Sequence, residues 1–226
     1  MRLARGAVPW VAVPFAAGVV ALAVGVRTAD FSWLAGGVVG IIVGLFMLYF
    51  HRNPDRKPPA DPDAVVAAAD GTVRRVEEVE DERFPGGRAL CVSIFLSPLD
   101  VHVNRAPITG TVSEYRYVPG RHFFTIQEKS SEYNEHTEIV LAGEGVRCIV
   151  HQIAGPFVRR VVCWLREGER VAKGQELGMM RFGSRLDMYL PARAVRGCVG
   201  VGCKVIAGTT VVARMVSDEQ ERQESS

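Results

Sequence analysis

The bond between Gly183 and Ser184 has the clearest potential for covalent chemistry in this sequence. It lies in Arg181-Phe182-Gly183-Ser184-Arg185, between two runs that are typical of β-strands. A serine hydroxyl becomes a nucleophile when a base takes its proton. A glycine directly before the serine leaves its own carbonyl open to attack, because glycine has no side chain. Attack of Ser184 on the Gly183 carbonyl would cut the chain. A Gly-Ser pair is also common in ordinary loops, so the interpretation depends on its surroundings.

A second group with chemical potential is the triplet Asp100-Val101-His102. Alternate side chains of an extended strand share a face, so the sequence predicts Asp100 beside His102, with Val101 and Val103 on the other face. A neighbouring carboxylate raises the basicity of an imidazole. The alternative is a polar surface face over a valine-lined core. A serine-hydrolase relay is disfavoured because Gly-x-Ser-x-Gly is absent from the sequence and the acid and the imidazole are only two residues apart.

Two apolar segments precede these residues. Residues 7–26 and 31–50 contain no charged side chain, and each would span roughly 30 Å as a helix at about 1.5 Å per residue. Residues 27–30 alone separate them, which predicts a tight transmembrane hairpin with both ends on one side. Basic residues at both ends place those ends, and the domain that follows, in the cytoplasm by the positive-inside rule. The alternative is a cleaved signal peptide, which the second apolar span disfavours. The basic residues are Arg2, Arg5, His51, Arg52, Arg56 and Lys57.

The remaining chain divides by composition. After the hairpin, residues 1–52, the segment 53–62 contains too many prolines for a helix or a sheet interior and is interpreted as a stiff linker along the membrane surface. Residues 63–216 are long enough for one catalytic domain with its own core. Residues 217–226 are polar and charged, and we expect them to be disordered.

Charge and cysteine content exclude several functions. The formal net charge is only +2, and no nucleic-acid-binding motif occurs, so we expect no nucleic-acid partner. The five cysteines form no Cys-x-x-Cys pair, which indicates neither a zinc site nor a disulfide framework. Reduced thiols suit the cytoplasm, and the sequence predicts no bound metal.

The domain is rich in β-strand patterns. Residues 65–69 and 73–79 flank Asp70-Gly71, which predicts a hairpin there. Other runs rich in β-branched residues are separated by glycine or proline turns, and no long amphipathic helical period competes with them. We therefore expect a mainly β fold, a sandwich or a barrel-like domain. The other predicted strands are 90–96, 111–118, 138–141, 146–153, 158–165, 186–190 and 209–215.

The segment from Arg166 to Gly178 resembles the turn before the modified lysine of lipoyl and biotinyl carrier domains. A carrier needs a lysine at the tip of the next hairpin, where this chain has Met179-Met180-Arg181. A guanidinium cannot form the required amide, so the carrier function fails while a lipoyl-like β-hairpin region remains expected. A non-catalytic, membrane-anchored lipoyl-like binding module stays as an alternative.

Four motifs in order resemble those of the phosphatidylserine decarboxylases, in particular the short form of that family. The resemblance covers nearly the whole chain, and the motifs follow an N-terminal hairpin as they do in the family. The motifs are Tyr49-Phe50-His51-Arg52-Asn53-Pro54-Asp55-Arg56, Ala68-Ala69-Asp70-Gly71, Ser97-Pro98-Leu99-Asp100-Val101-His102-Val103-Asn104-Arg105 and Phe182-Gly183-Ser184-Arg185.

The resemblance implies a proenzyme that cuts itself between Gly183 and Ser184. The large chain, 1–183, and the small chain, 184–226, would remain together as a heterodimer. Ser184 would become a covalent pyruvoyl group by way of an ester and dehydroalanine, and its ketone would form a Schiff base with the amine of a phospholipid substrate. Asp100 and His102 are the candidates for the base that starts cleavage and the acid that reprotonates the product.

The family resemblance also implies phosphatidylserine as the substrate, at the cytoplasmic membrane. An ether-linked, archaetidylserine-like lipid is an alternative, because the motifs address only the head group. His136 stands where the family has arginine, and a protonated imidazole there could partly replace the anion contact. His151, on a predicted strand, is either a further site residue or a structural one. Arginines available for the anionic groups are Arg105, Arg121, Arg159, Arg160 and Arg185.

Overall fold

The computed structural model describes residues 2–121, 123, 134–155, 161–181 and 184–216. The chain divides into two compact units, Met1–Asp55 and Arg56–Ser226. The tail 217–226 lies outside the described residues.

The first unit consists of two apolar helices and a short strand pair. Strand β1 (Arg2–Leu3) pairs antiparallel with β2 (Arg52–Asn53), and α1 (Val8–Thr28) and α2 (Phe31–Phe50) lie between them in the chain. Asp30 caps α2, because its carboxylate accepts a hydrogen bond of 2.7 Å from the main-chain N–H of Ser32. Both helices are long and apolar enough to cross a membrane, with mean hydropathies of 2.0 and 2.2. The expected pair of N-terminal apolar helices is confirmed.

Glycines let α1 and α2 touch through their backbones. A Cβ atom placed on Gly18 would lie 2.7 Å from the main-chain nitrogen of Ile41, and one placed on Gly40 would lie 2.7 Å from the Cα of Gly18. Such distances leave no room for a side chain. Small residues of this kind allow van der Waals packing between apolar helices where lipid offers no hydrophobic drive.

The second unit is built from strands. Their short lengths and the glycine and proline turns between them follow the sequence pattern. In chain order the elements are β3 (Ala64–Val66), β4 (Gly71–Glu80), a 3-10 turn (Pro85–Gly87), β5 (Arg88–Phe95), β6 (Val103–Arg105), β7 (Gly110–Val118), β8 (His136–Ala142), β9 (Arg147–Ile153), β10 (Val162–Cys163), β11 (Arg170–Val171), β12 (Glu176–Met179), β13 (Arg185–Pro191), β14 (Val195–Gly197), β15 (Lys204–Val205) and β16 (Val211–Met215).

The described residues of this unit form three antiparallel sheets. The largest has eight strands in the order β11-β7-β8-β9-β13-β5-β4-β15 and curls into a half-barrel. The two smaller sheets have the orders β10-β12-β6 and β14-β16-β3. The expected mainly β fold is confirmed. Strand β13, which follows Ser184, lies between β9 and β5 near the centre of the large sheet.

The two faces of the large sheet differ in chemistry. On β13, Leu186, Met188 and Leu190 face the main hydrophobic core, whereas Arg185 and Asp187 point to the other face because side chains alternate along a strand. The core also takes residues from neighbouring strands and from the smaller sheets. Fully buried members include Val92, Ile94, Leu96, Ile139, Leu141, Val150, Leu177 and Met180.

The hairpin expected at Asp70-Gly71 is wrong. Strand β3 pairs with β16, and β4 pairs with β5 and β15, so the two predicted partners belong to different sheets. The Asp70 carboxylate accepts hydrogen bonds from Ala207 N at 2.8 Å and from Arg56 at 2.9 Å. A Cβ atom on Gly71 would lie 2.2 Å from the Phe95 carbonyl oxygen. The Asp-Gly pair therefore joins distant segments of the unit.

The proline-rich segment contacts the second unit where the chain enters it. Arg56 forms an ion pair of 2.9 Å with Asp70. The Lys173 ammonium donates to the main-chain carbonyls of Asp61 and Ala64. Residues 56–61 are thus held against the β-rich unit at two points.

Candidate active site

Ser184 is buried at the start of the central strand β13. Its relative exposure is 0%, and its main-chain carbonyl accepts a hydrogen bond of 3.0 Å from Leu96 N. Its hydroxyl donates to the Arg181 carbonyl at 2.9 Å. Gly183 lies outside the described residues. Ser184 therefore has a buried side chain, and its main chain is held by a hydrogen bond to Leu96.

Two segments face each other at this point. One includes Met180 and Ser184, and the other runs from Leu96 to His102. Hydrogen bonds join them at both ends, from Met180 N to the His102 carbonyl at 3.2 Å and from Leu96 N to the Ser184 carbonyl at 3.0 Å. The pairing of β12 with β6 extends this contact, since Met179 lies opposite Val103. The fold thus brings the Asp-Val-His triplet to the Gly-Ser junction.

His102 has a defined tautomer in this arrangement. The residue is fully buried, and its Nδ1 lies 2.9 Å from the Asp100 main-chain oxygen. A carbonyl oxygen can only accept, so Nδ1 carries the proton and, in the neutral ring, Nε2 holds the basic lone pair. His102 can therefore act as a proton acceptor through Nε2 without changing its Nδ1 contact.

The extended strand expected through Asp100 and His102 is wrong. Residues 97–100 form a turn closed by a hydrogen bond of 2.9 Å from Asp100 N to the Ser97 carbonyl, and β6 begins only at Val103. Pro98 favours this turn because its fixed φ suits the second position. The Asp100 carboxylate accepts from Ser97 N at 2.8 Å. Asp100 thus holds the turn with its side chain and orients His102 with its carbonyl.

A buried polar chain lies on the Ser184 side of the sheet. The Thr137 hydroxyl donates to Gln152 at 2.9 Å, and the Gln152 amide donates to the Asn104 side-chain oxygen at 2.7 Å. Gln152 lies opposite Leu186, two residues from Ser184 and hence on the same face. Sequence reasoning missed Gln152 and Thr137, since no local pattern distinguishes them. Asn104 belongs to the family motif from Ser97 to Arg105, two residues after His102.

The opposite face carries a buried ion pair next to the junction. Asp187 and Arg185 are 0% and 2% exposed, and the Arg185 Nε donates to the Asp187 carboxylate at 2.9 Å. The Ser93 hydroxyl on β5 donates to the same carboxylate oxygen. Arg185 is thereby fixed within the sheet, directly after Ser184. Its role as a head-group contact is not supported by this paired position.

His136 and His151 come together, but on the face away from Ser184. Their rings stack with centroids 5.0 Å apart, and His151 lies opposite Asp187. His151 Nε2 lies 2.8 Å from the Glu138 carboxylate. Hydrogen bonding from His151, with Arg83 adding to it, lowers the pKa of Glu138 to about 2, and burial lowers the pKa of His136.

His136, Glu138 and His151 also have ligand atoms close enough for one metal ion, within 4.8 Å of one another. Arg83 and Arg116 lie 2.7 Å and 3.2 Å from the Glu138 carboxylate. Two guanidiniums neutralise that charge and repel a cation. The cluster is better suited to bracing strands β7, β8 and β9 than to binding a metal.

The other candidate arginines have different surroundings. Arg105 is buried and donates to the Gly174 carbonyl at 2.9 Å, so it ties β6 to the turn before β12. Arg121 is exposed, with its guanidinium carbon 5.9 Å from the centroid of the Phe123 ring. Arg159 and Arg160 lie outside the described residues.

Comparison with known proteins adds to this geometry. The family model for phosphatidylserine decarboxylase matches residues 43–213. The phosphatidylserine decarboxylase proenzyme of Symbiobacterium thermophilum is 43% identical over 203 residues, which cover 89% of this chain and 93% of that protein. The proenzyme of Pelobacter propionicus is 48% identical over 175 residues, 77% of this chain and 79% of that protein. The proenzyme of Desulfotalea psychrophila is 40% identical over 177 residues, 78% of this chain and 82% of that protein. With a family match across most of its length and relatives well above 30% identity, this chain belongs to the phosphatidylserine decarboxylase family of carboxy-lyases.

Proposed function

We propose that this protein is a self-processing, pyruvoyl-dependent decarboxylase that converts phosphatidylserine to phosphatidylethanolamine and carbon dioxide. The observation that carries the proposal is the buried Ser184, joined by main-chain hydrogen bonds to the segment that ends at His102. Family membership supports the same activity, since the relatives are named phosphatidylserine decarboxylase proenzymes.

Self-cleavage would begin at the Ser184 hydroxyl. His102 Nε2 accepts the hydroxyl proton, and the oxygen attacks the Gly183 carbonyl to replace the peptide bond by an ester. A base then removes the Ser184 α-proton, and the Gly183 carboxylate leaves from the β-carbon. The resulting dehydroalanine takes up water and loses ammonia. Residues 1–183 and 184–226 thereby become two chains held together by the sheet.

The residues around Ser184 are compatible with a pyruvoyl group formed at that position. The residue is fully buried in the uncut chain, and Leu96 N fixes its carbonyl. The ketone of a pyruvoyl group takes the substrate amine and accepts the electrons released with carbon dioxide. In this proposal His102, whose Nδ1 contacts the Asp100 carbonyl, holds the proton that returns to the product carbon. Asp100 would act by fixing the turn and thus the imidazole.

The N-terminal helices support the proposed substrate and location. Phosphatidylserine presents its amine, carboxylate and phosphate at a bilayer surface, and α1 and α2 are long and apolar enough to cross that bilayer. We propose residues 1–52 as a membrane hairpin, 53–62 as its connection and 63–216 as the catalytic domain. Basic residues at both ends of the hairpin support a catalytic domain on the cytoplasmic side of the cell membrane.

The experiment that tests the function is intact mass spectrometry under denaturing conditions, followed by an activity assay. The protein should give two chains that divide after Gly183, with the smaller lacking a free amine at its N-terminus. Ser184→Ala should remain a single inactive chain, because alanine has no nucleophile. Ser113→Ala, at an exposed hydroxyl on β7, is the matched control and should process normally.

Release of carbon dioxide from carboxyl-labelled phosphatidylserine measures turnover. An ether-linked serine lipid, assayed in parallel, distinguishes the alternative substrate. Normal processing of Ser184→Ala would overturn the mechanism. A wild-type chain that stays whole and releases no label would instead favour the non-catalytic membrane-anchored module.

A further inference from the structure

One end of the large sheet forms a continuous row of paired residues. Starting at β7 and ending at β15, each residue of the row lies opposite the next, and the row crosses seven strands. At about 4.8 Å between strands it is roughly 29 Å wide. Ser184 lies just beyond the row, directly before β13. The row, named here the Ser184 rim, consists of Val118, His136, Ile153, Arg185, Phe95, Thr72 and Lys204.

Exposed apolar side chains of the β-rich unit gather at the Ser184 rim. Leu99, in the turn after β5, is 62% exposed. Tyr117, one residue before the end of β7, is 53% exposed, and Ile206, directly after β15, is 42% exposed. Phe123 is also exposed and is held by two hydrogen bonds between its backbone and the Asn134 side chain. Leaving such side chains in water forgoes the free energy of their burial.

The opposite end of the sheet differs. It carries the turn between β8 and β9, where Glu144 is exposed, and the ends of β4 and β13. Within residues 56–121, 123, 134–155, 161–181 and 184–216, the exposed large apolar side chain away from the rim is Val201. Gly202 N bonds to the Val73 carbonyl, so Val201 lies roughly 7–10 Å from the rim along the strand direction. The apolar exposure is thus directional.

Positive charge accompanies the apolar groups at the Ser184 rim. Arg74, Arg121 and Lys204 are exposed there. The acidic groups described at the same rim, Asp70, Asp100 and Glu135, are only partly exposed. Apolar side chains combined with exposed cations are the pattern by which proteins attach to anionic bilayer surfaces.

We propose that the Ser184 rim docks onto a bilayer containing anionic phospholipid, with Leu99, Tyr117 and Ile206 entering the interface. The proposal rests on the proposed function, because docking there places the Ser184 position at the depth of a phospholipid head group. Tyrosine suits the boundary between head groups and acyl chains, since its ring is apolar and its hydroxyl remains hydrated. A lipid surface is favoured over a protein partner because the same chain carries two membrane-length helices and the substrate is itself an anionic lipid.

Depth-dependent fluorescence quenching tests the docking without relying on activity. Cys198 and Cys203, the exposed cysteines, are first replaced by serine. A single cysteine is then introduced by Tyr117→Cys, Ile206→Cys or Glu144→Cys and labelled with bimane. The full-length protein is reconstituted in vesicles of phosphatidylcholine and phosphatidylglycerol that contain brominated lipid. We expect loss of fluorescence at 117 and 206 and unchanged fluorescence at 144. Equal quenching at all three positions, or quenching at 144 alone, would overturn the proposal.

Kinetics supply the second test. The double variant Y117S/I206S should raise the apparent KM for phosphatidylserine in vesicles by roughly tenfold or more, with kcat little changed. Its turnover of short-chain phosphatidylserine, kept below the concentration at which micelles form, should equal that of the wild type. Val201→Ser is the matched control and should behave as wild type with both substrates.

The two substrates also separate the failure of this proposal from that of the proposed function. A wild-type protein that turns over neither substrate refutes the activity itself. Normal vesicle kinetics in Y117S/I206S, beside an active wild type, refute the docking surface alone. Equal losses with both substrates also refute it, since docking affects only the lipid surface.

Discussion

Neutralising Asp187 should destabilise the β-rich unit strongly, because it would leave Arg185 buried without its carboxylate. The two side chains are almost fully buried, and Nε of Arg185 lies 2.9 Å from the carboxylate. The Arg75 guanidinium also interacts electrostatically with Asp187. Asp187→Asn keeps the shape but removes the charge. Removing one member of a buried pair typically costs 3–5 kcal/mol, so we expect a loss of about 3–5 kcal/mol in the free energy of unfolding.

Removing both charges should be less harmful than removing one. In the double variant D187L/R185M the buried space stays filled by apolar atoms and no unpaired charge remains between β13 and β5. Apolar replacement of buried pairs is often nearly neutral. The double variant should therefore be more stable than Asp187→Asn by about 2 kcal/mol or more, and a double-mutant cycle with the single changes D187L and R185M measures the coupling.

Urea unfolding of the detergent-solubilised chain is the assay. All variants carry Ser184→Ala, so that every sample is one uncut chain. Trp10→Phe and Trp33→Phe leave Trp164, between β10 and β11, as the fluorescence reporter of the β-rich unit.

The control is Glu78→Gln, which breaks the exposed pair between Glu78 and Arg88 on β4 and β5. Its expected cost is below about 1 kcal/mol. The reasoning is refuted if Asp187→Asn costs no more than this control. It is equally refuted if the double variant loses the sum of the two single changes.

Three further outcomes follow from the geometry. Glu138→Gln should remove a pH-dependent stabilisation. The pKa of Glu138 is lowered from 4.5 to about 2. At about 1.4 kcal/mol per pH unit, the ionised carboxylate contributes roughly 3 kcal/mol to the free energy of unfolding above pH 4.5. This contribution is lost as the pH falls towards 2. Urea midpoints measured from pH 2 to 7 should show this slope in the wild type and not in the variant. His102→Ala should slow self-cleavage by about 10²–10⁴-fold, followed by gel after synthesis, whereas the same rate as wild type would remove His102 from the mechanism. Gly40→Val should separate α1 from α2, because its Cβ would meet the Gly18 backbone. The yield of a disulfide crosslink between one cysteine introduced in each helix should therefore fall.

The apolar helices, several strands and the family motifs could be predicted from sequence because each depends on residues that are neighbours in the chain. Apolar length is a property of a short window, so residues 7–26 and 31–50 indicated the helices that the structure has at Val8–Thr28 and Phe31–Phe50. β-Branched runs likewise marked strands such as β5, β7 and β9. The Gly183-Ser184 motif and the order of four motifs led to the family that the comparisons support.

Local patterns also misled where turn chemistry or pairing partners decided the outcome. Asp70-Gly71 is typical of a hairpin, yet its flanking strands join different sheets because each has a better partner elsewhere. The alternation of side chains along a strand predicted Asp100 and His102 on one face, but residues 97–100 form the turn that Pro98 favours. Very short strands such as β14 and β15 have too few residues to show a period.

The sequence by itself thus determined the apolar helices and the mainly β class, and it predicted which residues could react. Only the tertiary structure decided that the His102 segment meets Ser184, that Gln152 and Asn104 line the same side, and that His136 and His151 lie on the other. These relations depend on the register between β12 and β6 and across β8, β9 and β13. Register joins residues far apart in the chain, and it is set by the packing of whole sheets around one core, which no local window of sequence contains.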